Sequence, residues 1–422
     1  MGPLEDGQTV VIIGGGPGGV ACALALKNLS AQKEIKLSVI IYEGKDFSGG
    51  RQYNQCAGVL SPPIEEILEA QLGVPFPHGI IQRLITGYVL YADHNRIILE
   101  EEGEISYSLR RINFDNYFLN TALVRGVELI HARVTDLEFS SSGVMVYSES
   151  DNRRADVVVG AFGLDDGTAK TFERITPYRQ PKFLNSIVTK LHPGQEIVDQ
   201  FGEYIHAFLP SYEKIEFGAV TPKRNHLTIN IAGKEVDSFW MDYFLDLKSV
   251  QEVLPENLPE LRKDLKYFKG KFPIFPAEGM YGDRYVIVGD AAGLVRPFKG
   301  KGINAACLTG LKAAEVMMQA GLSKEAFKDY RKRCSEFTED LTHARIVRFL
   351  TIHGANLRLL DDIIELAKRD PKMRRALFDC VSAHQNFKRI YEQARGVGLW
   401  SKLALSAGKS LLKNLNHLGE RA

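Results

Sequence analysis

Cysteine is scarce and scattered in this chain. Cys22, Cys56, Cys307, Cys334 and Cys380 are the only five in 422 residues, and no two form a C-x-x-C pair. An odd, widely spaced set suggests neither a disulfide framework nor a zinc site, and it fits a reducing, cytoplasmic setting. No sign of charge dominates either: 53 basic against 52 acidic residues leave a net charge of +1, without the basic excess of a nucleic-acid binder. No apolar run reaches the roughly 18–20 residues that a membrane-spanning helix needs. The opening "MGPLEDGQTVVIIGGGPGG" has no basic n-region, and its apolar run ends in glycines, so it does not read as a secretory signal. Asp6 stands where a myristoylation site needs Ser or Thr.

What is present is the composition of a globular enzyme, 45% hydrophobic and 25% charged, in a chain long enough for two or three lobes of roughly 150 residues. "TVVII" (9–13) is a short continuous apolar run, as a buried parallel strand should be; a helix follows from about Gly18 to Leu29, then a second buried strand ending at Glu43. Residues 83–105 read as a hairpin turning at Asp93-His94-Asn95, and "RINFDNYFL" opens a helix capped by Asn113. "ADVVVGAFG" is another buried strand. From about 180 to 270 the pattern becomes alternating strands, then "RYVIVGDAAG" returns to the buried type, and from 323 onward the chain reads as helical. The expected class is α/β. A Rossmann-like nucleotide domain (1–82, 106–178, 276–322) carries an inserted antiparallel sheet (83–105, 179–275) and ends in a helical region (323–422).

Two motifs carry chemistry. Gly14, Gly16 and Gly19 in "GGGPGG" satisfy G-x-G-x-x-G between a strand and a helix. That arrangement needs a tight turn, then no side chain where a pyrophosphate approaches, then close helix–strand packing. Pro17 and Gly18 open a helix whose free N–H groups favour phosphate, and Glu43 ends the next strand, where an acid can bind a ribose hydroxyl pair. The second motif, "GDAAGLVRPFKGKGI", runs from Gly289 to Ile303. Asp290 can accept from sugar-like hydroxyls. Gly300 and Gly302, around Lys301 and after Pro297, let backbone approach a planar ring, with the positive end of the helix beginning near Ile303 aimed at it.

Together these motifs resemble those of the flavoprotein monooxygenase superfamily with the para-hydroxybenzoate hydroxylase fold, and within it the geranylgeranyl reductases. The resemblance spans about residues 9–320. It implies FAD as the bound dinucleotide, with Gly14, Gly16, Gly19 and Glu43 on its ADP half, Asp290 at the ribityl and pyrophosphate region, and Gly300 and Gly302 at the flavin. Arg111 opens a segment similar to the family's Arg-x-x-Phe-Asp helix, which also contacts FAD. "RQYNQCAGVLSP", from Arg51, is similar to the reductases' Cys-Gly-Gly loop, with Ala57 for the first glycine. This implies Cys56 near the flavin and a substrate alkene, as proton donor or positioning group; a packed free thiol is the alternative.

Two departures stand out. Phe162 occupies the place of the Asp in the superfamily's Gly-Ala-Asp-Gly, with Asp165 and Asp166 just beyond, which leaves the electron donor open among NADPH, NADH and a reduced protein carrier. "YIHAFLP" is similar to the reductases' Tyr-x-Trp-x-Phe-Pro segment but carries His206 for Trp. It implies Tyr204 and Phe208 as substrate contacts and His206 as a proton donor or a structural residue.

The implied reaction is reduction of carbon–carbon double bonds in an apolar isoprenoid or polyene-like substrate. The alternatives are an FAD-dependent monooxygenase and, outside enzymes, a prenyl-binding protein like the GDP-dissociation inhibitors. The segment from Trp400 to Leu418 has apolar residues at helical spacing with Lys402, Lys409 and Lys413 on another face. It could lie on a membrane or dock on the protein's own core. Metal ligands and oligomeric state have no signature.

Overall fold

The computed structural model describes residues 1–48, 56–100, 103, 105–212, 214–295, 302–339, 341, 343, 348, 359–382 and 387–395. The apolar run Thr9–Ile13 is the centre of a parallel sheet. Its strands lie in the order Tyr281–Gly282, Tyr285–Ile287, Val157–Gly160, Thr9–Ile13, Ser38–Tyr42, Glu128–Ile130, with only the outermost pair antiparallel. Val10 to Ile12 are fully buried, as expected of a strand covered on both faces.

One face carries the helices Pro17–Gln32 and Gly302–Gln319 side by side. Their contact explains the run of small residues in both. A Cβ at Gly310 would collide with the carbonyl of Gly18 and approach the amide of Cys22. The helix of "RINFDNYFL" runs over Arg111–Val124 with Arg110 at its N-cap, so Asn113 lies inside the first turn and caps nothing.

The second lobe is a sheet in the order Phe268–Pro273, Phe183–Leu191, Leu227–Gly233, Phe217–Pro222, Tyr204–Phe208, Gly87–Tyr91, Arg96–Glu100. It is mixed rather than wholly antiparallel, because Tyr204–Phe208 pairs in parallel with Gly87–Tyr91. The hairpin of residues 87–100 forms the edge of this sheet. Ile81–Ile85 joins a small sheet with Val59–Leu60 and Ser106–Leu109 instead, at the junction between lobes.

The two faces of the large sheet bury different things. Val89, Tyr91, Phe208, Val220, Ile229 and Ile231 pack under the short helices of residues 238–261. On the opposite face, Tyr88, Leu90, Ile205, Ala207 and Leu209 are covered by the helices Leu359–Arg369, Pro371–Ser382 and Phe387–Arg395. Val59, Phe217 and Ala219 pack at the margin of that second cluster. The face that continues past the C-terminal helices thus meets the Cys56 loop.

Candidate functional site

The nucleotide end is built by the first strand and its glycines. Gly14 has φ +114°, and a Cβ there would collide with the Ala161 carbonyl; one at Gly19 would collide with the Gly14 carbonyl. Both positions need glycine for packing. Gly16 differs: a Cβ there would meet nothing within 4 Å. Open space therefore stands in front of the N-terminus of the helix Pro17–Gln32, where amide N–H groups and the helix dipole favour phosphate. Glu43 Oε2 accepts from the Gly15 amide (2.9 Å) and Oε1 from the Lys45 amide (2.9 Å). This fixes the carboxylate at the end of its strand, beside the cradle.

The other end forms where Val288 leads into the short turn Gly289–Ala292. The Gly289 amide donates to Thr309 Oγ1 (2.9 Å), which itself donates to the Ala305 carbonyl (2.8 Å). These bonds lock the turn against the helix Gly302–Gln319. Asp290 Oδ1 lies 3.4 Å from where a Gly302 Cβ would stand, so its carboxyl borders the helix's positive end. Burial raises the Asp290 pKa and the Arg111 charge opposes the rise. A half-buried carboxyl at one end and an open glycine cradle before a helix N-terminus at the other fit the two ends of FAD.

Between them lies the cysteine loop. Lys223 Nζ donates to the carbonyls of Ala57, Gly58 (3.0 Å) and Leu109 (2.9 Å), and the Leu109 amide donates back to the Gly58 carbonyl (2.8 Å). Gly58 has φ +62°, and any Cβ would collide with the Leu109 carbonyl. Further along, Asn304 Nδ2 donates to the carbonyls of Ser61 (3.0 Å) and Pro62 (3.3 Å). The loop is thus clamped to the large sheet at one end and to the first turn of the helix Gly302–Gln319 at the other. Cys56 itself is exposed, with its sulfur 3.9 Å from Arg111 Nη1. Asp115, buried one helical turn on, grips the same guanidinium through both oxygens at 3.0 and 3.3 Å. Burial works against the Arg111 charge, but Asp115, Cys56 and Asp290 outweigh it and raise its pKa. A fixed cation therefore stands between the thiol and Asp290.

The structure thus gathers Cys56, Arg111, Gly289, Asp290, Gly302 and Ile303 around one end of the crevice, and Gly14, Gly16, Pro17, Gly18, Gly19 and Glu43 at the other. Arg51, Pro297, Gly300, Lys301 and the C-terminal amphipathic segment lie outside the described residues. Tyr204, His206 and Phe208 are not brought to this crevice. Strand alternation puts all three on the face packed under residues 238–261, opposite Ile205 and Ala207. His206 stacks on Tyr91 (5.7 Å between centroids), meets Phe201 edge-on (4.8 Å), and takes part in a 3.0 Å hydrogen bond between its Nδ1 and the Tyr91 hydroxyl. Burial lowers its pKa to about 4. It is a neutral, packed residue on the far side of the sheet from the Cys56 loop, not a proton donor to that loop.

Phe162 fills an aromatic pocket against Phe172 (5.2 Å) and Tyr178 (5.8 Å). Neither nearby acid replaces the missing aspartate. Asp165 caps the helix Asp166–Ile175 through the Thr168 amide (2.8 Å), and Asp166 pairs with Lys271 (2.8 Å).

Sequence alone does not point to Lys223 or Asn304, while Asp115 closes the Arg-x-x-Phe-Asp segment without an assigned role. Asp115 was readable as an i, i+4 partner of Arg111. The other two had no signal, since "TPKRNH" reads as a surface turn and Asn304 as an ordinary helix residue.

No family model matches the chain. A digeranylgeranylglycerophospholipid reductase from Methanopyrus kandleri is 28% identical over 345 residues, which cover 78% of this chain and 86% of that protein. Among solved structures, a geranylgeranyl bacteriochlorophyll reductase-like protein from Thermoplasma acidophilum superposes with a TM-score of 0.67 at 19% identity, covering 92% of this chain and 99% of its own. The flavin-dependent brominase Bmp2 superposes with a TM-score of 0.66 at 15% identity, covering 93% and 98%. Both structures share the fold described above.

Proposed function

We propose that this geranylgeranyl reductase-like, FAD-dependent oxidoreductase reduces carbon–carbon double bonds in the isoprenoid chains of a lipid. The observation that carries the reading is the clamped cysteine loop. A thiol is presented at the meeting point of the large sheet, the helix Gly302–Gln319 and Arg111, beside the space that fits FAD. The name of the M. kandleri relative supports the substrate class.

Bound and reduced, FAD would supply a hydride to one alkene carbon. The chain must then hold the alkene, exclude water and deliver a proton to the other carbon. Val59, Phe217 and Ala219 give the sheet face near the loop an apolar surface, suited to an isoprenoid. Cys56, exposed beside Arg111, would be the group that delivers this proton. When its proton leaves, the Arg111 guanidinium at 3.9 Å stabilises the thiolate, and the exposed sulfur regains a proton from solvent. Gly58 and Lys223 position that thiol. A lipid substrate would also bring the protein to a membrane surface; no helix among the described residues is long and apolar enough to cross one.

The test is anaerobic. Purified holoprotein is reduced with dithionite, and in separate runs with NADPH and NADH, and then offered a digeranylgeranyl glycerophospholipid. Return of the oxidised flavin spectrum with loss of alkene is the expected result. Reoxidation only by O2, with an oxygenated product, would transfer the protein to the monooxygenase reading. Cys56→Ala and Cys56→Ser should slow lipid-dependent reoxidation by about a hundredfold or more, the usual range for a lost general acid, without changing flavin content. Unchanged rates in both variants would leave Cys56 a packing role only.

A further inference from the structure

Lys223 carries a buried charge that the hydride chemistry does not use. It follows the strand Phe217–Pro222, and its side chain crosses to the Cys56 loop. Its backbone is fixed from three sides. Arg83 Nε donates to its carbonyl (3.1 Å), its own amide donates to the His226 carbonyl (2.8 Å), and Ser108 Oγ donates to the carbonyl of Pro222 (2.9 Å). Arg83 is in turn held by the Gly202 carbonyl (2.9 Å) and by Asp199 (2.7 Å). The side chain therefore starts from a rigid anchor, and what its ammonium grips is the loop.

That grip is matched to the charged form. An ammonium has three N–H groups, and Nζ has three acceptors, the carbonyls of Ala57, Gly58 and Leu109. A neutral amine keeps two N–H groups and a lone pair, so one carbonyl would face the lone pair. Burial lowers the Lys223 pKa to about 7; Lys190 adds to the fall and the Cys56 sulfur opposes it. The three carbonyls also favour the ammonium. The charge is thus given up between about 7 and the roughly 10.4 of a free lysine. Around Lys223 stand Cys56 on the loop, Arg83 on the strand Ile81–Ile85, Arg110 and Arg111 after Leu109, Lys190 on the strand Phe183–Leu191 and His226 in its own turn. The arginines stay charged through this interval, and burial keeps His226 neutral, with a pKa of about 3. Lys190 and Cys56 are the other groups in this set able to change charge there.

We propose that Lys223 is a positioning residue: its positive charge locks the Cys56 loop to the large sheet, and loss of that charge frees the loop. That the locked loop sets the thiol against an alkene rests on the function proposed above; the lock itself does not.

Two measurements on the holoprotein test it. The first needs no substrate. The Leu109 amide donates to the Gly58 carbonyl, so its hydrogen exchange, corrected for the intrinsic effect of pH, reports on the loop. The Val158 amide, bonded to the Arg284 carbonyl in the parallel sheet, is the reference. From pH 6.5 to 9.5 the protection of Leu109 should fall about tenfold or more while that of Val158 holds, because an opening that releases one proton gains up to about tenfold per pH unit. Lys223→Arg, which stays charged, should keep its protection over this interval. Lys223→Met should have lost it already at pH 6.5. The second measurement is lipid-dependent flavin reoxidation: wild-type kcat should fall over the same interval with KM unchanged, and Lys223→Arg should remove the fall. Leu109 protection independent of pH in wild type, or intact in Lys223→Met, would overturn the lock. So would the same fall with pH in Lys223→Arg, which would assign it to Cys56 or Lys190. Exchange that follows the charge supports the lock even when no isoprenoid reoxidises the flavin. A wild-type kcat flat in pH, with a lipid that does reoxidise it, counts against the positioning role.

Discussion

At the scale of single residues, burial lowers the pKa of two histidines and a lysine alike, but only the lysine has carbonyls to hold its charge. Burial removes the charge from His206, whose pKa falls to about 4, and from His226, whose pKa falls to about 3. Lys223 is more deeply buried and is lowered to about 7, yet its ammonium has three carbonyls to donate to. For His206 the sign of the linkage follows directly. The unfolded chain binds a proton near pH 6.5, and the folded one does not until about pH 4. Its stabilising contribution is therefore complete above pH 6.5 and is lost as pH falls through about 4. Urea midpoints at pH 7 and pH 5 should show wild type weakening on acidification, and His206→Gln should weaken less over the same interval. An equal drop in both would mean that His206 titrates as it does in water.

At the scale of elements, the glycines separate into those that shape the backbone and one that leaves room. Gly310 belongs to the first kind, because it sets the distance between the helices Pro17–Gln32 and Gly302–Gln319. Gly310→Ala would force apart the two helices whose N-termini flank the cofactor space. Overpacking of this kind costs about 1–3 kcal/mol, so the urea midpoint should fall and FAD should dissociate faster on dilution. A variant as stable and as retentive as wild type would show that the pair can slide to accept a methyl group.

This scale also divides what was legible in the sequence from what was not. The strand–glycine–helix unit at Thr9–Gln32 and the Gly-Asp turn at Gly289 announce themselves, because a buried parallel strand is a continuous apolar run and close backbone approach admits only glycine. The face occupied by Tyr204, His206 and Phe208 does not. Alternation shows that 204, 206 and 208 share a side, but which side meets the flavin lobe depends on neighbours far away in the chain. The parallel pairing of Tyr204–Phe208 with Gly87–Tyr91 is hidden for the same reason. Lys223 was invisible as a clamp, because its acceptors are backbone carbonyls 114 to 166 residues away, and carbonyls leave no mark on composition.

At the scale of the whole molecule, the cofactor space lies between parts of the chain that are distant in sequence, so filling it should report on global stability. A ligand that binds only the folded state at a concentration of 100 times its Kd adds about 2.7 kcal/mol. Thermal melts of FAD-depleted protein with increasing FAD should therefore rise steadily in midpoint, and the recovered protein should be yellow. A midpoint indifferent to FAD would sink the cofactor assignment and everything built on it.

The route of the chain through the two lobes has a mechanical consequence. The backbone leaves the parallel sheet for the large sheet at residue 87, returns before Arg111, leaves again near Phe183 and comes back by Tyr281. The lobes are thus stitched together, as two boards are by a cord passed repeatedly through both. A jaw-like opening would have to bend every pass at once, whereas a single connecting strand could act as a hinge. The crevice is therefore bordered by segments that cross between the two sheets four times, near residues 87, 106, 183 and 281.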